Sequence, residues 1–174
     1  MASYTLDNAW NQASARLAAL EAVFDSGTIR YLDGIGVGDG WRCLEVGAGG
    51  GSIAAWLARR VGAGEYVLDT DIDTRFTEEI KLPNLDICRH DITTEYVPEA
   101  SFDLIHTRMV LEHLPAREEA LRRLVAALKP GGWLLIEAID FVTVVPDPAM
   151  DAAAALLVHV VGDPAFRLDG FSGL

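Results

Sequence analysis

Basic residues are scarce in this chain: 14 Lys and Arg stand against 26 Asp and Glu, a formal net charge of −12. A nucleic-acid backbone is gripped by clustered cations, so no DNA or RNA partner is expected. Long apolar runs are missing too. The longest, Ala152 to Val161, carries His159 and is too short to span a bilayer, so no membrane association is expected. The opening residues, MASYTLDNAW, have neither a basic start nor an apolar core. No secretory signal is read there, and a cytoplasmic protein is expected. Cysteine is limited to Cys43 and Cys88, which suits a reducing compartment. No repeat, low-complexity tract or internal linker is visible. What the chain does have is apolar substance: 51% of its 174 residues are hydrophobic, enough for the core of one domain.

The stretch Cys43 to Ser52, CLEVGAGGGS, organises the rest. Cys43, Leu44 and Val46 read as a short buried strand. Glycines at 47, 49 and 51 let the backbone turn sharply and let a ligand approach main-chain amides with no Cβ in the way. Ile53, Trp56, Leu57 and Val61 then fall at helical spacing, so Ile53 to Val61 reads as a helix. Strand, glycine turn and helix form the first unit of a doubly wound nucleotide-binding sheet.

Along the chain, Thr5 to Phe24 reads as an amphipathic helix ended by Gly27, with Thr28 capping a second short helix through Leu32. Glu65 to Asp71 reads as strand two. Asp71 stands at its carboxyl end, where doubly wound folds place the acid that accepts hydrogen bonds from ribose hydroxyls. Asp69 lies inside that strand, and Asp73 reads as an N-cap for a helix beginning near Thr74. Leu85 to Arg89 reads as strand three and Phe102 to Thr107 as strand four. Cys43 and Cys88 then fall on strands one and three. In a 3-2-1 order they stand roughly 9–10 Å apart, too far for a disulfide, and read as buried apolar thiols. Arg117 to Leu128 is a helix, stopped by Lys129-Pro130-Gly131-Gly132. Trp133 to Ala138 is strand five, and Ala149 to Val161 reads as a helix.

The pattern Glu45-x-Gly47-x-Gly49-x-Gly51, followed at family spacing by ALKPGGWLLIE before strand five, resembles the class I S-adenosylmethionine (SAM) dependent methyltransferases. The resemblance covers about Gly40 to Asp140. It implies a Rossmann-like α/β fold with a doubly wound, mainly parallel sheet in one domain over 1–174. Residues 1–34 would form a helical lid, with Tyr4 and Trp10 near the ligand, residues 40–140 the cofactor-binding core, and 141–174 a partial substrate region. SAM is the cofactor so implied, and Glu45, Gly47, Ala48, Gly49 and Gly51 would form its glycine turn. Asp71 and Ile72 would hold the ribose end. Asp91 would accept from the adenine amine while Ile92 packs on the ring. Arg108 would pair with the methionine carboxylate or hold the loop by packing. His113 is the candidate general base, or a structural histidine bonded to backbone. His106, inside strand four, reads as a core residue. Strand four ends in His106-Thr107-Arg108 without a carboxylate, so no metal is expected.

The activity implied is methyl transfer to a small-molecule acceptor, neutral or cationic given the acidic charge, and a homodimer is compatible with it. Three other readings stand beside it: a SAM-binding module without catalysis, a SAM-dependent enzyme that does not methylate, and an NAD-binding oxidoreductase. Ser52 disfavours the last, because it stands where the dinucleotide fingerprint wants its third glycine. The family's sheet usually ends in an antiparallel hairpin after strand five. Residues Gly162 to Leu174, with Pro164, Gly170 and Gly173, leave no room for one. Strand five is therefore expected to be an edge, in a chain truncated before its last two strands, unless another chain or the Ala149–Val161 helix covers it.

Overall fold

At the centre of the molecule lies β1 (Cys43–Val46), buried along its whole length. The computed structural model describes residues 12–138 and the backbone of 154–159. Within them β2 (Val67–Asp71), β3 (Leu85–Arg89) and β4 (Phe102–Arg108) lie where the sequence pattern places them. So do the helices α2 (Ser52–Arg60) and α3 (Arg117–Ala127). With β5 at Leu128–Ala138 and β6 at Ala154–His159, the sheet runs β3-β2-β1-β4-β5-β6. Strands β1 to β5 are parallel, and the register places Glu45 beside both Asp69 and His106.

Helix α1 (Ala13–Ile35) is a single helix of 23 residues, not the two helices expected. Gly27 does not stop it, because an interior glycine costs only about 1 kcal/mol. Thr28 and Leu32, both buried beyond that glycine, hold the chain helical. Gly36 closes the helix with a φ of 89°. Positions 1–11, with Tyr4 and Trp10, lie outside the described residues.

Strand β5 (Leu128–Ala138) begins earlier than the expected Trp133. Leu128 pairs with Phe102, and pairing resumes between Trp133 and Leu104, so Lys129 to Gly132 form an irregularity within the strand. A Cβ on Gly132 would stand 3.0 Å from the carbonyls of Lys129 and Phe102, which fixes glycine there. The far side of β5 is not an edge. β6 (Ala154–His159) pairs with it antiparallel, from Trp133 against His159 to Ala138 against Ala154. The helix expected over Ala149 to Val161 is thus a strand where it is described. A short run such as Ala-Ala-Leu-Leu-Val-His does not separate strand from helix by periodicity. The unpaired N–H and C=O groups along β5 decide between them. The bare edge from which a lost hairpin was inferred is covered. Residues 139–153 and 160–174, including Asp140, lie outside the described residues.

Two apolar layers sandwich the sheet. Leu44, Val46, Ile105, Leu134 and Ile136 meet α3 through Leu121 and Leu124. Cys43, Val67, Leu104 and Leu135 meet α2 through Ile53 and Leu57, and α1 through Leu32. The two-residue period of a strand puts Glu45, His106 and Glu137 on this second face. Cys43 is buried and free, but Cys88 is free and exposed, against expectation: β3 is an edge strand whose outer positions no helix covers. No described helix is long and apolar enough to cross a membrane.

Candidate functional site

A cavity of about 350 Å³ opens at the carboxyl ends of β1 to β4, within the ~300–1,000 Å³ common for ligand pockets. In doubly wound sheets this is the crevice where ligands sit. Its floor is the turn after β1. The Gly47 N–H donates to the Thr70 carbonyl at 2.7 Å, and the φ angles of Gly47 and Gly49 are 75° and 58°. Both angles lie in the left-handed region that favours glycine. A Cβ on Gly47 would overlap the Val110 side chain, and one on Gly49 would come within 3.1 Å of Leu17 Cδ2. Ala48 completes this part of the wall. Gly51, expected among the contact residues, lies outside the cavity lining. It serves as the N-cap of α2 and packs the turn on Thr77 and Ile80.

Asp71 ends β2 and faces the cavity, as does the adjacent Ile72. One carboxylate oxygen of Asp71 accepts from the Gly49 N–H at 3.1 Å and the other from the Asp73 N–H at 3.0 Å. Burial raises its pKa, and these amides only partly counter that. Asp73 caps the short 3-10 turn at Thr74–Phe76, as its position suggested. Asp69 is sealed inside the sheet at 0% exposure. Burial, then the charges of Glu45 and Asp71, push its carboxyl up to about 7.

Past β3, His90, Asp91 and Ile92 line the same cavity. Asp91 Oδ1 accepts from the Thr93 amide at 2.8 Å and its hydroxyl at 2.6 Å. These bonds hold its pKa below the usual carboxylate value. Ile92 is nearly buried and belongs to the core. After β4 come Arg108, Met109, Val110, Glu112, His113 and Leu114, all in the wall. Met109 takes a φ of 56°, uncommon for a side chain that size, and its N–H donates to the Glu137 carbonyl at 2.7 Å. Both carboxylate oxygens of Glu112 are shielded from water and have no hydrogen-bond partner among the described residues.

Two of the expected contact residues are engaged within the protein. Glu45 directs both carboxylate oxygens at Nδ1 of His106, at 2.7 and 2.9 Å. Arg108 donates to Thr28 Oγ1 and to Asp25 Oδ1, each at 2.9 Å, and so binds α1. On the other ring edge, His106 Nε2 lies 3.0 Å from Glu137 Oε2. The same Glu137 oxygen accepts from the Thr28 hydroxyl at 2.6 Å. Burial alone would depress the His106 pKa, but the two carboxylates outweigh it and raise it to about 9. Glu137, burial notwithstanding, is held below its ordinary value by His106, Thr28 and Arg108.

Sequence reasoning expected a helical lid over 1–34 but named Tyr4 and Trp10 for it and missed the residues of α1 that line the cavity. Arg16, Leu17, Leu20 and Glu21 line the cavity, and Glu21 Oε1 accepts from the Ser52 N–H at 3.2 Å. Their spacing, one helical turn apart in pairs, was the signal available.

A family model described as a methyltransferase domain matches residues 6–159. Methyltransferase str2 of Strobilurus tenacellus is 35% identical over 111 residues, 63% of this chain and 40% of that one. The ubiquinone biosynthesis O-methyltransferase of Paracidovorax citrulli is 31% identical over 118 residues, 63% of this chain and 48% of that one. The chain thus spans somewhat under half the length of these relatives. The crystal structure of a SAM dependent methyltransferase from Aquifex aeolicus superposes with a TM-score of 0.62 at 19% identity, covering 73% of each chain. That likeness concerns the fold.

Proposed function

The chain belongs to the class I SAM-dependent methyltransferases, and we propose that it transfers a methyl group from SAM to a small-molecule acceptor. The observation that carries the reading is the glycine turn opposite Asp71. The turn residues Gly47, Ala48 and Gly49 and the pre-oriented Asp71 carboxylate line one cavity, and a Cβ on Gly47 or Gly49 would crowd the Val110 or Leu17 side chain of its wall. The residues present fit the donor. Asp71 would take the ribose hydroxyls, since an ionised carboxylate only accepts. Ile72 and Ile92 offer apolar surface, and Asp91, held ionised by Thr93, offers an acceptor for an exocyclic amine.

SAM supplies, when bound, a methyl group made reactive by its sulfonium charge. What remains for the chain is to hold and align, and alignment alone can supply ~7–11 kcal/mol. Met109, Val110 and Leu114 give the wall after β4 apolar surface against which an acceptor could pack. His113, in the same wall, would take a proton from a hydroxyl or amine acceptor. A small acceptor agrees with the net charge of −12, which repels nucleic acids. It agrees also with a relative named for ubiquinone biosynthesis.

The test is transfer of labelled methyl from SAM to a panel of phenols, carboxylic acids and amines, with S-adenosylhomocysteine measured as co-product. Stoichiometric label and co-product with at least one class are expected. Tight S-adenosylhomocysteine binding with no transfer to any of them would remove the small-molecule reading and leave donor binding standing.

A further inference from the structure

Behind the cavity wall, on the α1 face of the sheet, a line of charged and polar side chains runs from β1 to α1. Glu45 meets His106, His106 meets Glu137, Glu137 meets Thr28, Thr28 meets Arg108, and Arg108 meets Asp25. Asp69, on β2, stands beside Glu45 in the same row. The geometry assigns a protonation state to the centre of this line. A neutral imidazole has one N–H and would turn a lone pair toward one of the two carboxylates. Only the imidazolium donates on both edges.

A buried charged network is a poor source of stability, since well-packed apolar residues do as well. Its placement gives it another use. Helix α1 is anchored mainly through its second half, where Thr28 and Leu32 are buried and Ile29 and Ile35 pack on the core; in its first half only Ala13 is buried. Yet it supplies Arg16, Leu17, Leu20 and Glu21 to the cavity wall. Thr28 and Asp25, one to two turns farther along, are where the polar line grips it. At the opposite end Glu45 stands two residues before Gly47. The line therefore joins the glycine turn to the helix that closes over it.

We propose that protonated His106 is a positioning residue which, through Glu137 and Thr28, docks α1 as a wall of the donor cavity and so sets donor affinity. The proposal rests on the SAM reading above for its ligand, but not for the docking. The groups that face the imidazole and its partners are Glu45, Asp69, Glu137, Arg108 and Asp25. Asp69, its carboxyl pushed up to about 7, gives up its proton around neutrality, and the His106 imidazolium gives up its own higher, near pH 9.

Amide hydrogen exchange of the free protein and titration with S-adenosylhomocysteine test it together. Thr28→Val keeps the shape of the side chain and removes the hydroxyl. It should speed exchange through residues 13–35 at least roughly tenfold, leave α3 unchanged, and weaken S-adenosylhomocysteine binding at least roughly tenfold at pH 7.5. Corrected for intrinsic rates, α1 protection in the wild-type protein should fall between pH 8 and 10, a fall absent from His106→Gln. Equal α1 exchange in wild type and Thr28→Val would overturn the proposal whether or not the ligand binds. Loosened α1 with unchanged affinity would overturn its link to the donor. A wild-type protein that binds no S-adenosylhomocysteine, with α1 responding as stated, would overturn the SAM reading while supporting the docking.

Discussion

The imidazole of His106 lies 2.7 Å from the carboxylate of Glu45 on the adjacent strand, with both side chains closed off from water. A cation is thus built into the centre of the sheet directly behind the glycine turn. Glu137 supplies the second carboxylate at 3.0 Å, and an uncharged ring would satisfy only one of the two.

Stability should therefore depend on alkaline pH. The His106 pKa is raised from 6.5 to about 9 in the folded protein. Its stabilisation is complete below pH 6.5 and lost as pH rises through about 9. At ~1.4 kcal/mol per unit the loss is roughly 3 kcal/mol. Urea unfolding at pH 6, 8 and 10 should show this decline, and His106→Gln should flatten it. A parallel decline in the variant would place its origin elsewhere.

Asp69 should act in the opposite sense, as a cost. Its carboxyl is raised from 3.8 to about 7 by burial and the neighbouring acids. The folded state is penalised progressively as pH rises from about 4 to about 7, and fully above that. Asp69→Asn should gain stability relative to wild type across that window, by up to a few kcal/mol. Denaturation curves at pH 4.5 and 8 measure it. A difference that does not grow with pH would show that the Asp69 charge carries no such cost.

Strands β1 to β4, the glycine turn and the acids at strand ends were legible because each rests on local pattern. Val67 to Asp71 is a short strand that ends in the acid, and Gly47 and Gly49 have the left-handed angles that their type suggested. What was not legible depends on partners remote in sequence. Thr28 looked like a cap, but it lies inside a helix because Glu137, 109 residues on, accepts its hydroxyl. His106 looked like a core residue because nothing local announces that Glu45 and Glu137 flank it. Ala154 to His159 became a strand through the open side of β5, a force that helical periodicity does not report.

The glycine turn should not tolerate a side chain. Gly47→Ala forces a Cβ onto Val110 at a φ of 75°, where an L-residue is already strained. S-adenosylhomocysteine affinity should fall at least roughly tenfold, while helical circular dichroism changes little. Retained affinity would mean that the turn does not approach the ligand.

Loss of the carboxylate that faces this turn tests the central claim most directly. Asp71 already accepts from the Gly49 amide of the cavity wall and from the Asp73 amide, and each charge-assisted hydrogen bond it would make to a ribose is worth about 1.5–3 kcal/mol. Calorimetric titration of S-adenosylhomocysteine into the wild-type chain should give one site. Asp71→Ala, with an unchanged circular dichroism spectrum, should bind at least roughly tenfold more weakly. No binding heat in the wild type, or equal affinity in the folded variant, would contradict the placement of the donor in this cavity.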